Sequence, residues 1–320
     1  MSRLERQTTH VLKPIGSVKA DSDTSKVGNS NSQINIWREE LQAVLRGASG
    51  SFLFGIPLLY TVEVWSIGSA AQSPLLLGVL GTTFIIVLLL TEIEGFRRTL
   101  TLHPLEAILE SIEALGIGLV CAAIALVLLR RITLETPLSE ALGKLIFEGV
   151  PFSIGVALAR STLNRDRLNN RTRRKVNRPR LLADPSLASL RDTLVDLDAT
   201  LIGALLIAFS IAPTEEIPIL AADIPPLWLL LIMAASLVCS YGIVFASGFS
   251  DRSERRQRGL LISPITETLV AYLVALLAAV IMLIFFQQLT LQDPWQEWLG
   301  DTIVLALPAA IGGAAGRILI

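Results

Sequence analysis

The apolar residues of this chain are gathered into long blocks, with the charges collected between them, rather than spread at helix or strand period. A run of about 18 or more apolar residues reaches across a bilayer core of roughly 30 Å as a helix. A helix also satisfies its own backbone polar groups where lipid offers none. The composition agrees: 52% of the 320 residues are hydrophobic and only 17% charged, and the mean hydropathy is +0.60. The blocks predict an all-α polytopic membrane protein of about eight transmembrane helices, near 47–65, 74–94, 107–129, 142–160, 199–213, 226–247, 266–288 and 300–320.

Residues 1–35 are polar, without the apolar core of a cleavable signal peptide, and read as a disordered cytoplasmic tail. Lys and Arg set the orientation. The segments 66–73, 214–225 and 289–299 carry none, whereas Arg97 and Arg98, the run from Arg165 to Arg180, and Arg252 to Arg258 make every second loop basic. Both termini are therefore expected in the cytoplasm. Arg130, Arg131 and Lys144 dissent, since this topology places them outside. Trp65, Trp228, Trp295 and Trp298 fall at expected outer boundaries, as an aromatic belt requires.

The two halves of the chain can be laid over each other. Pro151, Ile154, Gly155, Ala157 and Arg160 match Pro308, Ile311, Gly312, Ala314 and Arg317 at an offset of 157, and Glu110 matches Glu267. Earlier in the unit the offset is 153, where Gly50 meets Gly203, Thr61 meets Thr214 and Glu63 meets Glu216. The expected organisation is two tandem, parallel four-helix repeats, 36–162 and 191–320. A basic linker, 163–190, joins them. With an even number of spans per unit, the copies enter the membrane in the same direction.

Two constellations invite chemistry. Pro57 with Thr61 and Glu63, and Pro213 with Thr214, Glu215 and Glu216, place a helix-breaking proline beside carboxylates at matched outer ends. Proline frees a carbonyl one turn back, and carbonyls with carboxylates suit a hard cation or a proton relay. The plain alternative, equally weighted, is that these glutamates sit among outer headgroups. Glu148 joins the candidates as a carboxylate inside an apolar block, with a local pair to Lys144, four residues earlier, as the equally weighted alternative. Glu110 with Arg160, and Glu267 with Arg317, read as ion pairs that fix one helix against the next.

Eight Lys and Arg residues between Arg165 and Arg180, without aromatics, suit anionic lipid headgroups rather than nucleic acid. Cys121 and Cys239 lie inside apolar blocks and read as packing residues. No phosphate-binding loop, zinc-type His or Cys spacing or nucleophile elbow occurs, so neither an enzyme nor a cofactor is expected, and no metal ligand set is named. A lipid-modifying membrane enzyme is the disfavoured exception.

The segment from Arg46 through Gly55, Pro57, Thr61, Glu63 and Trp65, with Pro213, Thr214, Glu215 and Glu216, resembles a bacterial family of integral membrane proteins of uncharacterised function. The family occurs in cyanobacteria and proteobacteria. The resemblance implies a bacterial inner-membrane location and assigns no site residue. The function expected from the residues is a secondary transporter or channel for a cation or protons, with carboxylates at the repeat interface. Its rival is a scaffold or accessory subunit that docks a partner or lipid.

Overall fold

The computed structural model describes residues 24–98, 104–173, 185–246 and 263–319. Two units are distinguished, Met1–Glu40 and Leu41–Ile320. The described part of the first is helical. The described residues form helices and no strands. These are α1 (Thr24–Leu59), α2 (Val62–Ala70), α3 (Ser73–Arg98), α4 (Pro104–Leu128), α5 (Leu138–Arg173), α6 (Pro185–Ile211), α7 (Glu216–Ala222), α8 (Pro226–Tyr241), α9 (Pro264–Phe285) and α10 (Trp295–Leu319). A π-helical turn, Gly242–Ala246, extends α8. Seven helices are long and apolar enough to span a bilayer, and an eighth span is counted if α1 and α2 are taken together.

That pair corrects the sequence reading. The expected first span, 47–65, ran straight through Thr61 and Glu63. Instead the chain bends by 88° between the 40–59 segment and α2. Pro57 removes a donor in the last turn of α1, and the helix stops at Leu59. The Thr61 amide then bonds to the Leu58 carbonyl, and α2 starts at Val62. In the second half α6 ends at Ile211, just before Pro213, and the short α7 follows. The other helices fall near their expected places. However, α5 and α6 reach into the stretch read as linker, of which 174–184 lies outside the described residues, as does most of the polar tail.

Two helices organise the core. α5 packs against α2, α3 and α4, while α10 packs against α6, α7, α8 and α9. The span of α10 is 83% buried and that of α3 only 11%. A helix apolar on every side is what such an enclosed position demands, and the run Ile303 to Ile311 is apolar and buried throughout.

Local geometry recurs between the halves. A Cβ on Gly155 would stand 2.5 Å from the Gly50 carbonyl oxygen, and one on Gly312 would stand 2.5 Å from the Gly203 carbonyl oxygen. Only glycine permits either approach. The turn after α4 also returns after α9. Arg130 and Gln287 take positive φ values of 55° and 60°. Around them the amides of Arg131 and Ile132 bond to the Leu126 carbonyl, as those of Gln288 and Leu289 bond to Leu283.

Candidate functional site

Glu148 is the most deeply placed carboxylate among the described residues. It is fully buried, and neither carboxyl oxygen has a hydrogen-bond partner. Lys144 does not serve it, so the local-pair alternative falls. The Lys144 ammonium lies 2.6 Å from Glu140 Oε1 and donates to the Arg131 carbonyl at 3.0 Å. Both partners stand toward the start of α5, where a long, flexible stem can carry its charge out of the apolar interior.

The register of α5 against α1 locates Glu148 along the fold. Cβ positions built on Gly50 and Gly55 meet Ala159 and Phe152 respectively, so the two helices run in opposite directions there. One further turn along α1 leads from Gly55 to Leu59, and the matching turn back along α5 leads from Phe152 to Glu148. Glu148 also shares a helical face with Phe152, Gly155 and Ala159, the residues that meet α1. Helix C-termini carry carbonyls without helical partners and a partial negative charge. Pro151 adds to this, because it offers no amide to the Phe147 carbonyl one turn back.

The other candidates are more exposed. Glu63 is exposed in the first turn of α2, with Thr61 half-buried before it. Glu216 is half-buried in the first turn of α7, and its Oε2 is buried without a partner. Glu215 is exposed, and the Thr214 hydroxyl donates to the Ile211 carbonyl at 2.6 Å. α2 rests on α5 and α7 on α10, so Glu63 and Glu216 stand on separate supports.

The two expected ion pairs differ. Arg317 pairs with Glu267, beneath 97% burial of the arginine side chain, and the Phe245 ring lies 5.8 Å from its guanidinium. Arg160 instead reaches the Glu113 carboxylate at 2.7 Å and takes only the backbone carbonyl of Glu110, at 3.4 Å. The expected Glu110–Arg160 side-chain pair is thus corrected. Glu113 lies one turn deeper on α4, and its counterpart in the second half is Val270, which leaves Glu267 as the acid at that end.

Arg130, Arg131 and Lys144, which ran against the charge rule, are held at one end of the fold. Arg131 pairs with Asp223 at 2.6 Å and lies over the Trp65 ring, and Arg130 donates to the Asp223 carbonyl. Trp228 Nε1 donates to the Leu128 carbonyl at 2.7 Å beside them. Tyr60 was missed from the sequence. Its hydroxyl donates at 2.6 Å to the Val304 carbonyl, the one that Pro308 leaves without a helix donor. Pro308 announces a freed carbonyl in the sequence, but not which side chain reaches it.

A family model described as "Putative integral membrane protein (DUF2391)" matches residues 43–320. The chain belongs to that family. Neither the curated proteins nor the solved structures contain a match to this DUF2391 member. The family description gives an integral membrane protein and no activity, so the site of this member rests on its own geometry. No group of three or more His, Cys, Asp or Glu side chains able to hold a metal ion occurs among the described residues.

Proposed function

We propose that this DUF2391 member is a secondary transporter or channel for a cation or protons, and that Glu148 lies on its pathway. One observation carries the reading. A fully buried carboxyl group without a partner sits inside the 138–160 span. An unpaired carboxylate in an apolar interior costs several kcal/mol unless something neutralises it, and ionisable groups kept inside membrane proteins mark ion and proton routes. Glu63 and Glu216, at matched positions in the two halves, are the polar groups nearest the expected outer face. The reading includes a bacterial cytoplasmic membrane location, both termini inside, and the basic stretch from Arg165 to Arg180 on anionic lipid.

The test is ion flux in proteoliposomes for protons, Na⁺, K⁺ and Ca²⁺, comparing wild type with Glu148→Gln. Flux in the wild type that the substitution abolishes is the expected result. Folded, oriented wild type that moves none of these ions overturns the reading and favours a scaffold that docks a partner or lipid.

A further inference from the structure

Glu140, Lys144 and Glu148 stand four residues apart on α5 and share one face, a column that leads inward from the start of the helix. Exposure falls along it. The side chains of Glu140 and Lys144 are 34% and 11% exposed, and Glu148 is fully buried. Charged groups are costly inside a span and mark routes when they line one. A column of three that ends on a carboxyl without a hydrogen-bond partner therefore reads as an access path. The corresponding positions in α10 are Glu297, Asp301 and Leu305, so that column stops one turn short, at an apolar side chain.

Arg131 sits at the outer end of the path. Its carbonyl accepts from Lys144 Nζ at 3.0 Å. Its guanidinium lies over the Trp65 ring of α2 and donates to the Leu129 carbonyl at 3.2 Å and to Asp223 Oδ2 at 2.6 Å. α2 rests on α5 just here, since a Cβ on Gly68 would stand 3.2 Å from Lys144 Cα. Trp65, one turn before Gly68, has its indole nitrogen buried without a partner, so packing and the cation over its ring hold it in place. One residue thus ties together α2, α5, the end of α4 and the turn between α7 and α8.

Of the groups that Arg131 holds, only Asp223 belongs to the second half of the chain. Its side chain is 62% exposed, against 9% for Arg131, so this link can break without unpacking a helix. The corresponding positions hold Gln288 and Ala70, which form no ion pair.

We propose that Arg131, held by Asp223, is the outer closure of the path along Glu140 and Lys144, and that its release opens Glu148 to the outer face for the cation or proton carried. The closure rests on the transport reading.

Thiol labelling in intact cells tests it, in the full chain with Cys121 and Cys239 replaced by Ala. Glu148→Cys should react slowly with a membrane-impermeant maleimide, and Glu135→Cys, exposed in the turn after α4, serves as the control for the side reached. Adding Asp223→Ala should speed labelling at 148 by on the order of tenfold, the effect of one charge-assisted hydrogen bond on an opening equilibrium. Asp223→Glu, which keeps the charge, should leave the rate near its starting value, and labelling at 135 should not change. Equal rates at 148 with Asp, Ala and Glu at 223 overturn the closure. If Glu148→Cys does not fold, Arg131→Cys with Asp223→Cys decides. Bridging that pair with a bifunctional methanethiosulfonate should stop ion flux in proteoliposomes, and reduction should restore it; flux that the bridge leaves unchanged overturns the closure. Where wild-type flux persists and either arm fails, the closure falls while the transport reading stands. If the wild type moves no ion, both fall.

Discussion

The Tyr60 hydroxyl donates at 2.6 Å to the carbonyl oxygen of Val304, which Pro308 deprives of its partner within α10. The contact joins residues 244 positions apart and is buried. Tyr60 follows the last residue of α1, so the break in the first span is tied to the proline in the last. A buried carbonyl left without a donor costs about 1–3 kcal/mol. Tyr60→Phe should therefore destabilise the protein by about that amount, measured by thermal or denaturant unfolding in detergent. In a Pro308→Ala background the helix supplies its own donor, and the cost of Tyr60→Phe should shrink. Equal costs in both backgrounds would refute the coupling.

The two arginine pairs should differ in weight. Arg317 and Glu267 are largely withdrawn from the surface, and removing one partner strands a charge, at about 3–5 kcal/mol. Arg160 and Glu113 are 21% and 52% exposed, and a pair of that kind contributes about 0–1 kcal/mol. Arg317→Ala should lower the midpoint of unfolding far more than Arg160→Ala. Glu110→Gln should have little effect, since Arg160 uses its backbone carbonyl.

Packing glycines supply a sharp contrast. A Cβ on Gly312 collides with the Gly203 carbonyl and the Ile207 side chain, whereas Gly78 and Gly81 have nothing within 4 Å. Gly312→Ala should destabilise by about 1–3 kcal/mol through overpacking. Gly78→Ala should be neutral or stabilising by up to about 1 kcal/mol. Unfolding midpoints of the two variants check both.

Orientation is open to chemical labelling. Glu135 is exposed in the turn between α4 and α5, at the end assigned to the outside. In a background with Cys121 and Cys239 replaced by Ala, Glu135→Cys should react with a membrane-impermeant maleimide added to intact cells. Reaction only after the membrane is opened would reverse the topology.

The apolar blocks were enough to set the all-helical class and the approximate places of the seven unbroken spans. Transfer of a segment into lipid depends on that segment's own composition, so each span is written locally in the sequence. Gly155 and Gly312, matched between the halves in the sequence, allow close helix approach, because a missing Cβ is likewise a property of one position.

What tertiary structure alone decided is which groups meet. Lys144 had Glu148 and Glu140 at the same separation of four residues, and Arg160 had Glu110 and Glu113 within one turn of each other. In each case the depth and register of neighbouring helices chose the partner, which left the Glu148 carboxyl without a hydrogen-bond partner. The bend after Leu59 was signalled by Pro57 but not specified by it, since a proline near a helix end permits either a continued or a redirected chain. Contacts such as Tyr60 with Val304 depend on how distant helices stack. A local hydrophobic pattern fixes where a helix crosses the membrane, and leaves open the rotation and register on which every polar contact depends.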